Sequence, residues 1–186
     1  MLEHLSEWSA ARIKVIVPEH PASVSVLKFA IAIVLNVVLV AGLTLSVSLI
    51  TGNTAEAVMI LVSFALLRQV SGGVHLKSGM ACVLFTTALF TGLSYVQMDM
   101  LYVQLLNVLS LLLVAVLAPI GIDKQTRIPE KHWPKLKLIG AALVIINMFV
   151  ASPVIAVSFT AQAVSLVIAW KKERGNDQSL SAQSSL

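Results

Sequence analysis

Charged residues are scarce in this sequence: Asp, Glu, Lys and Arg make up only 12% of its 186 residues. An average soluble domain carries about 25%, so this chain has too little charge to cover a water-facing surface. The shortage excludes a soluble globular protein and a disordered chain. The net charge of +4 is also too small for a nucleic-acid-binding domain, so nucleic acid is not an expected partner. One domain is the natural count at this length.

Cysteine is nearly absent as well, because Cys82 is the only one in the chain. A lone cysteine cannot form an internal disulfide, which fits a thiol on the reducing side of a membrane or one used in chemistry. The four histidines are scattered, and with one cysteine they lack the spacing of a metal site. We therefore expect no metal and no other cofactor.

Apolar residues are abundant instead: 58% of the chain is hydrophobic, in runs long enough to cross a bilayer. A membrane-spanning helix needs about 20 such residues. We predict an all-α integral membrane protein with one polytopic domain at residues 1–170 and six transmembrane helices. The spans are expected at about residues 24–50, 55–70, 80–96, 101–120, 138–151 and 154–170. Residues 171–186 are rich in Ser and Gln, and we expect a polar, disordered, cytoplasmic tail there.

The basic residues predict the orientation. Lys and Arg occur up to the start of the first span, after the second, between the fourth and fifth, and after the sixth. The alternate turns, near Gly52, Asp99 and Ser152, carry none. By the positive-inside rule, both termini and the two basic loops are cytoplasmic, which is an N-in/C-in arrangement.

The N-terminal segment has a helical pattern of apolar residues that ends at two prolines. The apolar positions are Leu2, Leu5, Trp8, Ile13 and Ile16. We expect residues 1–17 to form an amphipathic helix on the inner leaflet, within an interfacial segment at residues 1–20. The alternative is a frayed terminus, because the spacing is imperfect.

The segment between the second and third predicted spans carries the candidate chemistry. It contains His75 and Cys82, and an imidazole that takes the proton of a thiol produces a nucleophile able to attack a carbonyl. Seven residues on one helix would separate the two side chains by about 10.5 Å along the axis, beyond hydrogen-bond reach. A catalytic pair therefore needs a break in the helix between the two residues. We expect this break at Ser78-Gly79, with Cys82 at the start of the third span. The alternative is a cysteine that packs as a small apolar residue and a solvated histidine.

One set of residues in this segment looks like a known family signature: Arg68, Gly72, Gly73, His75 and Cys82. With them, the chain resembles the accessory gene regulator B family over nearly its whole length, and residues 118–123 resemble that family's central loop. Members of the family are integral-membrane cysteine endopeptidases that mature a quorum-sensing propeptide. They remove its acidic C-terminal part and, in typical members, close a thiolactone or lactone ring.

The resemblance implies roles for several residues. Cys82 would be the nucleophile and His75 the general base of a thioacyl-enzyme mechanism. Arg68 and Gly73 are implied to matter for activity. For Arg68 three roles stay open: pairing with a substrate carboxylate, holding the loop, or acting as an ordinary cytoplasmic anchor. Further supporting or substrate-binding candidates are Gly72, Ser78, Lys77, Asp123, Lys124 and Arg127.

The resemblance also implies partners and a location. It predicts a short propeptide with an acidic C-terminal segment, a homodimer, and the plasma membrane of a bacterium. The positive-inside rule puts the active site on the cytoplasmic side. Residues 121–137 hold five basic groups against two acidic ones. They would attract the acidic substrate tail or anionic lipid. Alternatively, they are only the positive-inside signal.

Polar residues inside the predicted spans are functional candidates by default. Here they are amides, and we expect them to join helices through hydrogen bonds. They are Asn36, Gln104, Asn107, Asn147 and Gln162.

Two other functions stay open from the residues alone. A small membrane transporter or exporter of a peptide would not depend on Cys82. Against it, no predicted span has an Asp, Glu or Arg at its middle, and the chain has no internal repeat. A non-catalytic membrane partner protein would tolerate changes at both Cys82 and His75.

Overall fold

The computed structural model describes residues 2–73, 78–121 and 129–184, with side chains as far as Gly175. Over these residues the protein is all-helical and has no strand, as predicted. The helices are α1 (Leu2–Ile16), α2 (Val24–Thr51), α3 (Thr54–Ser71), α4 (Gly79–Leu93), α5 (Met100–Leu117), α6 (Trp133–Val150) and α7 (Pro153–Ser184), with a short 3-10 helix at Glu130–His132 before α6.

Five helical segments within the described ranges are long and apolar enough to cross a membrane. They are Val24–Thr51, Thr54–Ser71, Met100–Leu117, Glu130–Val150 and Pro153–Gly175. Helix α4 lies where the third span is predicted, but it has only 15 residues, about 22 Å at 1.5 Å per residue. That is shorter than the roughly 30 Å of a bilayer core. The helices fit a multi-pass membrane protein, and the six-span count and the orientation stay predictions.

The helices fall in two compact units. The first contains α1, α2, the start of α3 and most of α4, over residues 2–57 and 78–92. The second contains the remainder of α3 with α5, α6 and α7, over residues 58–73, 93–121 and 129–184.

In the first unit, α1 packs along α2. An ion pair of 2.8 Å between Glu7 Oε2 and Lys28 Nζ joins the two helices. This hydrogen bond and the charge of Lys28 lower the pKa of the Glu7 carboxyl. The buried residues of α1 include the small Ser6 and Ala10, whereas Trp8 is 60% exposed. The predicted N-terminal helix is therefore present, with apolar surface left open, and its place on the inner leaflet stays a prediction.

The second unit has α7 at its centre, with half of its apolar segment buried. Its core residues come from four helices and the end of α5: Leu67, Val114, Ala118, Val144, Phe159 and Leu166. Two amide hydrogen bonds join α5 to α6. Asn147 Nδ2 donates to Asn107 Oδ1 at 3.0 Å, and Gln104 Nε2 donates to the Met148 carbonyl at 2.8 Å. These contacts confirm that amides in the spans join helices.

One expectation about the C-terminus is wrong. Composition predicts disorder from residue 171, but α7 continues without a break to Ser184. The apolar half of α7 is anchored by packing, and adding residues to an existing helix avoids the cost of nucleation. The segment 171–184 also contains no proline that would end the helix. A cytoplasmic location for this segment stays a prediction.

Candidate functional site

Helix α3 ends at Ser71 and is followed by two glycines with positive φ, +76° at Gly72 and +128° at Gly73. Residues with a side chain rarely adopt these backbone angles, so the sequence places glycine where the turn needs it. The Gly73 N–H donates to the Ile120 carbonyl at 3.1 Å, and the Ile120 N–H donates to the Ser71 carbonyl at 3.1 Å. This short parallel pairing ties the end of α3 to the chain that leaves α5.

A buried amide on α7 holds the same turn. Gln162 has no exposed surface, and its Nε2 donates to Ser71 Oγ at 3.0 Å and to the Gly72 carbonyl at 2.6 Å. Its Oε1 accepts from Arg68 NH1 at 3.5 Å and from Ser165 Oγ at 3.1 Å. Every hydrogen-bonding position of this amide is therefore used.

Gly73 is packed closely by these polar groups. A Cβ atom added there would lie 2.8 Å from Ser165 Oγ, 3.3 Å from Gln162 Nε2 and 3.4 Å from Arg68 NH1. The first of these distances is shorter than any that real side chains adopt. Gly73 therefore has a steric requirement for glycine in addition to the conformational one.

The Arg68 guanidinium has contacts on two sides. It donates to Gln162, and its centre lies 5.9 Å from the centre of the Phe64 ring, which is a cation–π distance. Of the roles left open for Arg68, holding the loop has direct contacts to support it. Pairing with a substrate carboxylate stays a prediction.

Cys82 lies in the first turn of α4, in the first unit. The helix begins at Gly79, and Ser78 precedes it as a cap, because the Ala81 N–H donates to Ser78 Oγ at 3.4 Å and the Cys82 N–H donates to the Ser78 carbonyl at 3.0 Å. Helix α4 therefore begins at Ser78-Gly79, where the sequence predicts the start of a helix. The Cys82 side chain is partly exposed, and its Sγ lies 4.0 Å from Thr86 Oγ1.

The other sequence candidates lie outside the described residues. They are His75, Lys77, Asp123, Lys124 and Arg127. The contact between the Cys82 thiol and the His75 imidazole therefore stays a prediction. Within the described ranges, no group of three or more His, Cys, Asp or Glu side chains is placed to hold a metal ion.

Comparison with known proteins decides the family. The chain matches AgrB, accessory gene regulator B, over residues 12–172. The chain belongs to the AgrB family. A protein of Halalkalibacterium halodurans described as AgrB-like is 30% identical over 151 residues, which cover 81% of this chain and 76% of that protein. No solved structure matches the chain.

Membership of the AgrB family gives the coarse function. The family takes part in accessory gene regulation, where it is linked to the processing of a propeptide. Together with the apolar helices, it also indicates a multi-pass membrane protein connected with quorum sensing.

The sequence signature groups Arg68, Gly72 and Gly73, and the structure brings all three together. Gln162 and Ser165 complete the group and are not part of the signature. Gln162 was visible as a polar residue in an apolar run, which is a signal for a functional candidate. Its partners were not visible, because they lie about 90 residues earlier in the chain.

Proposed function

We propose that this protein is a membrane-embedded cysteine endopeptidase that removes the C-terminal part of a quorum-sensing propeptide. Cys82 is the nucleophile and His75 the general base. The observation that carries the proposal is the position of Cys82, the one cysteine in an AgrB-family chain, in the first turn of a serine-capped helix. Helix N-termini favour negative charge nearby, which suits a thiolate nucleophile.

The first half of the reaction cuts the propeptide. His75 takes the proton of the Cys82 thiol, and the thiolate attacks the scissile carbonyl. When the tetrahedral intermediate collapses, the carbon–nitrogen bond breaks and the imidazolium returns its proton to the departing amine. The acidic C-terminal segment leaves, and the N-terminal part stays on Cys82 as a thioester.

The second half releases the product. A thiol or hydroxyl of the bound peptide attacks the thioester carbonyl, gives up its proton and restores the Cys82 thiol. The product is a thiolactone or a lactone. A thioester and a thiolactone are similar in energy, so the reaction requires that water be kept from the acyl-enzyme, and an apolar membrane setting favours that.

The proposal includes a topology and partners. Six spans with N-in/C-in orientation place the site at the cytoplasmic face of a bacterial plasma membrane. The basic residues between positions 121 and 137 attract the acidic segment of the propeptide or anionic lipid. The working form is a homodimer, as the family resemblance implies.

A processing assay in a host that lacks any related system tests this function. The protein is co-expressed with the short reading frame encoded beside its gene, and the peptide fragments are measured by mass spectrometry. We expect cleavage by the wild type and none by Cys82→Ala or His75→Ala at equal membrane levels. His132→Ala and Thr87→Val serve as matched controls, because His132 lies in another segment and the Thr87 hydroxyl has no hydrogen-bond partner. Cleavage that survives Cys82→Ala would contradict the proposal, and a peptide that the wild type leaves whole would favour a transporter or partner protein.

A further inference from the structure

We propose that Gln162 is a positioning residue that fixes the Gly72–Gly73 segment, and through it the start of the chain that leads to His75. His75 follows Gly73 by two positions in the sequence. The inference rests on the proposed function, because His75 acts as a general base only there. It concerns a residue of α7 that is distant in sequence from Cys82 and His75.

The chemistry of the Gln162 side chain matches its two neighbours. The carbonyl of Gly72 can only accept a hydrogen bond, and the guanidinium of Arg68 can only donate one. Gln162 Nε2 donates to the Gly72 carbonyl at 2.6 Å, and Gln162 Oε1 accepts from Arg68 NH1 at 3.5 Å. The reversed amide would set donor against donor and acceptor against acceptor. Glutamate lacks the donor when ionised, and methionine lacks both groups.

Burial makes this amide hard to replace. Gln162, Ser71 and Gly72 are all buried, so water cannot take over the hydrogen bonds that a substitution removes. Gly72 would keep its positive φ but lose the donor to its carbonyl. The backbone hydrogen bonds of Gly72 with Arg68 and of Gly73 with Ile120 would still hold the segment. We therefore expect the segment to loosen while the helices stay packed.

The same face of α7 provides a matched control. Ser158 lies one helical turn before Gln162, and its hydroxyl is 2.8 Å from Ser63 Oγ on α3. This contact also joins α7 to α3 and is also buried. It does not touch Gly72 or Gly73. Ser158 Oγ also donates to the Ile60 carbonyl on α3 at 3.4 Å, so Ser158→Ala removes two hydrogen bonds between α7 and α3 without reaching the segment.

The test compares the full-length wild type, Gln162→Met, Gln162→Glu and Ser158→Ala in nanodiscs. The first measurement is backbone hydrogen exchange in the peptide that contains Gly72 and Gly73. The second is kcat and KM for propeptide cleavage. We expect Gln162→Met to speed exchange in this peptide by about tenfold and to lower kcat by about tenfold, with KM changed by less than about twofold. Ser158→Ala is expected to stay within about twofold of wild type in both measurements.

The exchange measurement tests the positioning role of Gln162, and the cleavage measurement tests the proposed function. Unchanged exchange in Gln162→Met, or equal effects of Gln162→Met and Ser158→Ala, would overturn the positioning role. If Gln162→Met does not fold, Gln162→Glu keeps the size and the acceptor for Arg68 and is expected to show the same faster exchange. A wild type that cleaves no propeptide contradicts the proposed function, and the exchange result then still decides whether Gln162 holds the segment.

Discussion

A Cβ atom on Gly73 would lie 2.8 Å from the hydroxyl oxygen of Ser165, a separation that real side chains do not adopt. The two residues come from the turn after α3 and from the middle of α7. Gly73 is therefore a point of close contact in the second unit, where one methyl group would force the Ser165 hydroxyl, the turn or the helix to move. The φ of +128° adds a conformational reason for glycine at the same position.

We expect Gly73→Ala to lower processing by more than about tenfold, because the clash and the strained φ together cost on the order of 1–3 kcal/mol. Removing the clashing hydroxyl with Ser165→Ala should restore only part of the activity, since the backbone strain remains. Gly42→Ala is the matched control, because a Cβ there meets nothing within 4 Å. Equal activity of Gly73→Ala and Gly42→Ala would show that the close approach is not functionally important.

The Asn107–Asn147 pair is expected to stabilise the second unit. Asn147 also hydrogen-bonds the backbone N–H and carbonyl of Ser152, in the turn between α6 and α7. Asn147→Ala should therefore lower the free energy of unfolding more than Asn107→Ala does, by roughly 1–2 kcal/mol against about 0.5 kcal/mol. Thermal unfolding in detergent measures both variants. A larger loss of stability in Asn107→Ala than in Asn147→Ala would contradict the hydrogen bonds assigned to Asn147.

The Glu7–Lys28 ion pair predicts a pH dependence of the α1–α2 contact. The pKa of Glu7 is lowered in the folded protein, chiefly by its hydrogen bond with Lys28. The stabilisation is fully present above the ordinary pKa of a glutamate and is lost as the pH falls through the lowered pKa. The effect should be small and weakened by salt, because the Glu7 side chain is 60% exposed and the Lys28 side chain 39% exposed. Trp8 fluorescence should follow this loss on acidification, and a Lys28→Met variant should not show it.

Cys82 also allows a direct test of orientation, since it is the one native thiol and is partly exposed. A membrane-impermeant maleimide should label it in inside-out vesicles and leave it unlabelled in right-side-out vesicles. Asp99→Cys in a Cys82→Ser background should give the opposite pattern, because residue 99 is predicted to lie in an outer turn. Labelling of Cys82 from the outside would contradict the N-in/C-in topology.

Much of the fold was predictable from local patterns. Long apolar runs located the helices, and the serine and glycine before Cys82 marked the start of α4. The same reasoning failed for the C-terminal helix, because composition describes a segment in isolation and α7 is extended from an anchored core. It also did not predict that α4 would be only 15 residues long.

The group of Arg68, Gly72 and Gly73 was predictable from the sequence, but the partners of these residues on α7 were not. The segment from Arg68 to Cys82 contains the reactive and conformationally special residues close together in the sequence. Gln162 contacts this segment across about 90 positions, and a single sequence has no periodicity that encodes such a pairing. An intramembrane amide indicates that a partner exists without saying which one it is.

The central claim is that Cys82 forms a thioester with the N-terminal part of a propeptide. Intact-protein mass spectrometry of the wild type and Cys82→Ala, each co-expressed with the neighbouring short reading frame, tests it most directly. We expect a mass increase on the wild type that maps to Cys82, equals the acyl part of the peptide and is absent from Cys82→Ala. Release of the C-terminal fragment by Cys82→Ala, or the same adduct on both proteins, would contradict it.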